Sequence, residues 1–156
     1  FDSLQGEKHL RYVPNADHSL RGTDALETIV AFYQMILNDK PRPRISWTFE
    51  PDGVIRVSSQ PSPKAALLWH ATNPKARDFR LATIGQAYTS QELAPAENGE
   101  YVARAESPPQ GWAASFVELT YDIGTKSPLK LTTAVRVLPD ELPHAGIDPK
   151  RVPYEP

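Results

Sequence analysis

Proline is distributed very unevenly along this chain of 156 residues. Of its 16 prolines, only Pro14 lies within residues 1–40, and the others fall between Pro41 and Pro156. Because proline fixes φ and removes a backbone donor, it is excluded from helix interiors and central strands. We therefore predict a short α/β segment, residues 1–40, followed by a turn-rich β region.

The first segment carries one strand signal and the strongest helix signal of the chain. Residues 9–13 form a compact run of β-favouring side chains, which predicts a strand. A polar loop at 16–22 follows, and residues 24–38 have an apolar stripe at helical spacing. Asp24 and Glu27 resemble a capping box at the start of this helix, and Thr23 is the alternative cap. The stripe consists of Leu26, Ile29, Val30, Tyr33, Ile36 and Leu37. These few elements cannot bury such a stripe, so the segment is typical of the edge of a larger sheet domain.

Residues 41–143 alternate between apolar and polar side chains over several short runs separated by turn residues. The predicted strands are 45–49, 54–57, 65–71, 101–105, 113–121 and 129–138, with a weaker one near 79–80. A count of about seven strands is expected of an immunoglobulin-like sandwich. Residues 144–156 are interpreted as a proline-rich tail. The predicted fold class is therefore mixed, with an all-β sandwich after the strand, loop and helix.

Charge and composition exclude several classes of function. With 17 Lys and Arg against 19 Asp and Glu, the net charge of -2 argues against a nucleic-acid binder, which needs clustered cations. The chain has no cysteine, so it has no disulfide, thiol nucleophile or cysteine-ligated zinc. No apolar run approaches the roughly 20 residues of a membrane span. The N-terminus does not resemble a signal peptide, and because it lacks Met we expect further chain upstream of Phe1.

His18 is the strongest candidate for chemistry. It lies in the loop between the predicted strand and helix, where an α/β-hydrolase carries its triad histidine. The local pattern alone favours a solvated loop histidine beside Asp17. No serine lies in a Gly-x-Ser-x-Gly context, and Ser19 is too close along the chain to pair with His18 as nucleophile and base. The isolated chain therefore cannot assemble a Ser-His-Asp triad.

Other residues give weaker signals, and we predict neither a metal site nor a cofactor. The remaining histidines, at positions 9, 70 and 144, lack the i, i+4 helical spacing that brings two imidazoles to one metal. Three cations, Lys75, Arg77 and Arg80, could bind an anion but are expected to line a solvated strand edge. A sugar-stacking platform of Trp47, Trp69 and Trp112 is the alternative to core burial, which is favoured for the first two.

Several blocks of the chain resemble the PhoPQ-activated pathogenicity-related protein family. The first block, residues 6–20, includes Pro-Asn-Ala-Asp-His-Ser-Leu at its end. The further blocks are residues 31–33, 68–80, 111–112, 116–120, 129–133 and 135–137. Their order and spacing are collinear to about residue 143.

The resemblance implies that this chain is the C-terminal part of an exported protein, secreted or periplasmic, with an α/β-hydrolase domain. In that family the serine motif and the triad acid lie upstream, and only the histidine carries over, onto His18. With the family added, a triad base becomes the favoured interpretation of His18, whereas Asn15 and Asp17 match the block only as loop-shaping residues. Residues 1–40 would complete the hydrolase domain, which is the expected partner, and the reaction would be ester or amide hydrolysis on an unidentified small molecule or peptide.

A non-catalytic interaction or carbohydrate-binding module of immunoglobulin-like fold is the alternative. Coplanar, solvent-facing Trp and Tyr side chains on one face would favour sugar binding. An exposed apolar stripe at Leu26, Ile29, Val30 and Tyr33 would instead favour the hydrolase, because apolar patches of that size are normally covered.

Overall fold

The computed structural model describes residue 1, residues 3–142 and residue 146. Most of the predicted tail, 144–156, lies outside these residues, as does His144. The elements in chain order are α1 (Ala25–Leu37), β1 (Arg44–Phe49), β2 (Val54–Gln60), β3 (Ala65–Asn73), α2 (Leu81–Ile84), β4 (Thr89–Glu92), β5 (Tyr101–Arg104), β6 (Trp112–Tyr121), β7 (Leu129–Thr132) and β8 (Arg136–Leu138). The prediction of a mostly β chain with one long helix is confirmed.

The strands form two antiparallel sheets that face each other. One sheet has the order β1-β2-β5, and the other has the order β4-β3-β6-β7, with β8 also paired to β6. Ile55 and Val57 of the first sheet share one buried core with Val117 and Leu119 of the second. Because side chains alternate along a strand, Phe116 and Glu118 lie on the outer face of β6. This two-sheet arrangement confirms the predicted β-sandwich.

Four details of the sequence interpretation need correction. The weak strand near residues 79–80 is absent, because Asp78 accepts hydrogen bonds from Arg80 N (3.1 Å) and Thr83 Oγ1 (2.7 Å) and starts the short helix α2 instead. The run 129–138 is divided into β7 and β8. The strand β4 was not predicted, since all four of its residues are polar and exposed. The predicted strand at 9–13 is reduced to one bridge, between Leu10 and Thr132.

The helix α1 packs against β7, and its buried face does not include the apolar stripe. The buried residues of α1 are Ala25, Thr28, Ala31 and Met35. The stripe on the other face is exposed, with 68% of Leu26, 62% of Ile29 and 59% of Tyr33 accessible to solvent. Asp24 makes no side-chain cap on the helix, so the predicted capping box is wrong. Thr23, whose Oγ1 accepts a hydrogen bond from Ala25 N at 3.3 Å, provides the cap.

Candidate functional site

The segment that leads to His18 runs over the outer face of the larger sheet. Thr132 N donates a hydrogen bond to the Leu10 carbonyl at 2.8 Å, and Tyr12 N donates to Thr132 Oγ1 at 3.1 Å. The rings of Tyr12 and Tyr88 both pack on Phe116, at centroid distances of 5.9 and 5.8 Å. The ring of Phe116, on the outer face of the larger sheet, therefore supports the segment that leads into the loop that carries His18.

Four charged side chains attach this segment and the start of α1 to the sheet. Arg11 binds both Glu118 and Asp24, the latter at 2.6 Å from Nη2 to Oδ1. Lys130 Nζ lies 2.6 Å from the second oxygen of Asp24 and 3.3 Å from Glu118 Oε1. Glu118 is only 1% exposed, so this carboxylate depends on its two cations. This charged cluster links residues that are distant in sequence: the incoming segment, the residue before α1, and the strands β6 and β7.

Burial and ion pairing act in opposite directions on the carboxyl group of Asp24. Partial burial alone would raise its pKa, but the hydrogen bond from Lys130 and the charges of Arg11 and Lys130 outweigh burial and hold the pKa below its ordinary value. For Lys130, burial opposes the charge, yet its bonds to Asp24 and the nearby Glu118 raise the pKa. Each group therefore favours the ionised form of the other.

The loop that carries His18 is organised by its own side chains. Asp17 Oδ1 accepts hydrogen bonds from Ser19 N at 2.8 Å and Ser19 Oγ at 2.6 Å, and these bonds lower the pKa of Asp17. Leu20 adopts a left-handed φ of 55°, and Thr23 Oγ1 donates to its carbonyl at 2.8 Å. This confirms a loop-shaping contact for Asp17, whose carboxylate is occupied by Ser19.

Asn15 fastens the start of the loop to the sandwich. Its Nδ2 donates to the Tyr88 carbonyl at 2.8 Å, and Tyr88 N donates to its Oδ1 at 3.0 Å. Asn15 also has a φ of 55°, a left-handed conformation that asparagine tolerates better than most residues. The amide thus supplies both a backbone reversal and a two-point connection between residues 73 positions apart.

His18 itself is exposed at the top of this loop. No hydrogen bond to its imidazole occurs within the described part of the chain, so both ring nitrogens are accessible to groups from outside it. An imidazole held on an ordered loop with both nitrogens accessible can accept a proton from a hydroxyl on one side while an acid orients it on the other. The described residues bring neither of those groups to it.

The helix that follows the loop presents an apolar groove. A cavity of about 430 Å³ lies between α1, the incoming segment and β7. Leu10, Ile29, Phe32, Tyr33 and Leu131 contribute its apolar wall. Together with the exposed stripe of α1, the groove makes the surface beside the histidine loop unusually apolar for a solvent-facing surface.

Within the sandwich, a histidine contacts a serine on the neighbouring strand. His70 Nδ1 and Ser115 Oγ are 2.9 Å apart, on neighbouring strands. Ser115 is fully buried, so its hydroxyl cannot reach a substrate, and burial lowers the pKa of His70. The prediction that His70 is an ordinary strand residue agrees with this position, because the contact gives the buried hydroxyl of Ser115 a hydrogen-bond partner.

The other sequence candidates do not assemble a site. Lys75 and Arg77 are exposed, and Arg80 binds Asp78 at 2.6 Å, as expected of a solvated edge. His9 Nε2 lies 2.9 Å from Glu7 Oε1 and packs edge-on against Phe32.

The three tryptophans are partly buried on different parts of the sandwich. Trp47 packs against the core, Trp69 lies beside Phe116 on the outer face, and Trp112 begins β6. A common sugar-stacking face is therefore not formed by these rings.

Two features are absent from the described residues. These residues contain no group of three or more His, Asp or Glu side chains that could hold a metal ion. Within the same residues, no helix has both the length and the apolar character that crossing a membrane requires.

The sequence pointed to His18 as a candidate and gave Asn15 and Asp17 a loop-shaping role, but it did not indicate which groups they bind. The link between Asn15 and Tyr88 joins distant segments, and no local pattern predicts it. Glu118 did give a signal, since a single acidic residue within the apolar run of β6 requires a buried cation.

Known proteins resemble this chain in sequence. A family model described as PhoPQ-activated pathogenicity-related protein matches residues 1–80. Autocrine proliferation repressor protein A from Dictyostelium discoideum is 32% identical over 162 residues, which cover 88% of this chain and 33% of that protein. The chain thus spans about a third of the length of this curated relative. No solved structure matches it significantly.

Proposed function

This chain belongs to the PhoPQ-activated pathogenicity-related protein family, and we propose that it is the C-terminal part of an exported serine-hydrolase-like protein in which His18 is the triad base. The nucleophile and the acid come from residues that precede Phe1. In this proposal residues 1–40 complete an α/β-hydrolase domain, and residues 41–143 are an accessory, immunoglobulin-like sandwich. The chain by itself is inactive, because it supplies one of the three catalytic groups.

The observation that carries this proposal is the exposed apolar face of α1 directly after an exposed histidine. Soluble proteins rarely leave six large apolar side chains of one helix face uncovered. A hydrolase sheet on that face would bury the stripe and bring its serine loop towards His18. The relative from Dictyostelium discoideum is compatible with this view, since about two thirds of that protein lies outside the matched region.

In the complete protein, His18 would remove the proton from the serine hydroxyl as it attacks an ester or amide carbonyl. The same imidazole would then give that proton to the leaving group, and a water molecule would release the acyl group in a second step. The ordered loop holds the imidazole in place, while the substrate pocket is formed mainly by the preceding domain.

The test uses the full-length gene product and a fluorophosphonate probe, which labels activated serines. We expect His18→Ala to lower the labelling rate by at least about a thousandfold with the fold intact, because triad residues act as a unit. His9→Ala is the matched control and should keep the wild-type rate, because within the described residues its imidazole bonds to Glu7 and packs on Phe32, outside the loop that carries His18. An unchanged labelling rate in the His18 variant would refute the assignment.

A non-catalytic interaction module is the second candidate, and the name of the curated relative favours it. That relative is described as an autocrine proliferation repressor, a name that states a growth-controlling role rather than an activity. The separation of Trp47, Trp69 and Trp112 gives no support to the carbohydrate-binding form of this candidate. Wild-type full-length protein that fails to react with the probe would favour the interaction module. Fractionation of cells that express the full-length protein tests export under either candidate.

A further inference from the structure

We propose that the sandwich positions the catalytic histidine, and that Asn15 is the positioning residue through which it does so. This inference rests on the proposed function, because it assigns Asn15 a role only in a protein where His18 accepts a proton. It gives the accessory β region a part in the reaction, although none of its residues touches the substrate.

The first argument is the two-point hydrogen bonding of Asn15. Its amide donates to the Tyr88 carbonyl and accepts from the Tyr88 N–H, as a second strand would. Aspartate can reproduce only the accepting half, and glycine neither half. Both of these residues tolerate the left-handed φ of 55°, so they remove the bonds without straining the backbone.

The second argument is the rigidity of the surface to which Asn15 is attached. Tyr88 packs on Phe116, which is 1% exposed in the middle of the longest strand of the sandwich. Tyr88 is partly buried, and this burial raises the pKa of its hydroxyl group to about 12. Tyr88 also directly precedes the strand β4, which pairs with β3, so the partner of Asn15 is attached to the larger sheet.

The third argument is the short, ordered connection from Asn15 to His18. Only two residues separate them, and the Asp17–Ser19 turn closes the loop on the far side. Arg11 holds the incoming segment through Glu118 and Asp24. A shift of Asn15 must therefore move the imidazole, and a displacement of about 1 Å at a reacting group costs up to about a hundredfold in rate.

The experiment compares full-length Asn15→Gly and Asn15→Asp with wild type in the hydrolysis of p-nitrophenyl acetate. We expect Asn15→Gly to lower kcat by about tenfold or more while KM changes less than about twofold, because the transition-state geometry and not substrate binding is affected. Asn15→Asp retains the bond from Tyr88 N and should recover part of that loss. Hydrogen–deuterium exchange of residues 16–21 should be faster in Asn15→Gly.

Asn73→Ala is the matched control. Asn73 is also a buried asparagine that ties a loop, donating to the Asp78 carbonyl at 2.7 Å and accepting from Lys75 N at 3.0 Å. Its substitution should lower Tm but leave kcat and the exchange of residues 16–21 unchanged. If Asn15→Gly does not fold, Asn15→Asp alone decides the test through kcat, with a wild-type value counting against the proposal.

The failures of the two proposals are distinguishable. Loss of hydrolysis in His18→Ala together with a wild-type kcat in Asn15→Gly overturns the positioning role and leaves the hydrolase proposal standing. Equal loss of kcat in Asn15→Gly and Asn73→Ala also overturns it, because general destabilisation then explains both. Wild-type hydrolysis in His18→Ala overturns the hydrolase proposal and this inference with it.

Discussion

Glu118 shows how a single residue can join the segment before the His18 loop to the rest of the molecule. A carboxylate in a fully buried strand position is costly unless cations pair with it. Arg11 and Lys130 supply the positive charges, and both also bind Asp24 at the start of α1. The requirements of one buried charge therefore fix the incoming segment, the helix start and the strand β7 relative to one another.

The charged cluster predicts a specific response to acid. Because the folded-state pKa of Asp24 lies below its ordinary value of 3.8, this group favours the folded state at pH values above 3.8. That contribution is lost as the pH falls through the lowered folded-state pKa. We expect Asp24→Asn to be less stable at pH 7 and to show a flatter decline in stability from pH 5 to pH 2, measured by urea unfolding.

The control for this prediction is Asp52→Asn, which removes an exposed carboxyl group outside the cluster. Its profile of stability against pH should follow the wild-type curve. If the free energies of unfolding of wild type and Asp24→Asn decline equally between pH 5 and pH 2, then Asp24 is not the group that makes stability depend on pH in this range.

At the scale of elements, the spacing of apolar residues predicted the helix and strands that bury side chains in the core. The helix α1 and the strands β1, β2, β3, β5 and β6 all follow from alternating or helical spacing. The strand β4 could not be predicted, because it forms by pairing with β3 and not by burying its own polar side chains. The break between β7 and β8 depends on Thr133, whose Oγ1 accepts a hydrogen bond from Val117 N and whose N–H donates to the Val117 carbonyl. No local sequence pattern indicates these two bonds.

The turn between β1 and β2 depends on glycine for two reasons. Gly53 has a φ of 76°, and a Cβ at this position would lie 2.1 Å from the Ala105 carbonyl oxygen. We expect Gly53→Ala to cost about 3 kcal/mol or more in free energy of unfolding, because backbone strain and a backbone clash add. Gly99→Ala is the matched control, since Gly99 has a φ of 80° but open space around its Cα. Its cost should be about 1 kcal/mol.

The difference between the two glycine variants measures the contact of the hairpin with the end of β5. Urea unfolding followed by tryptophan fluorescence is the appropriate measurement. Equal costs for the two substitutions would mean that the close approach of Gly53 to Ala105 is not a fixed feature of the fold.

At the scale of the whole molecule, one face of α1 is buried against the sandwich and the other is exposed. Its buried residues, including Ala31 and Met35, pack within the core that the described residues form. Its large apolar residues face outwards, which is the arrangement expected of a helix between two layers. The sequence predicted a larger partner for the stripe, but not that Ala25, Thr28, Ala31 and Met35 would form the inner face, because that depends on how closely β7 approaches.

Whether another domain covers the exposed face of α1 can be tested by making the same substitutions in this chain and in the full-length protein. Ile29 and Tyr33 are exposed in this chain, so Ile29→Ser and Tyr33→Ser should leave its unfolding midpoint almost unchanged. In the full-length protein, a hydrolase sheet over the stripe would bury both side chains, and each substitution should then cost about 2 kcal/mol. Glu27→Ser, on an exposed position of the same helix, should have little effect in either context. Losses that are small in both contexts would mean that no domain covers this face, and the proposed hydrolase would lose the observation that carries it.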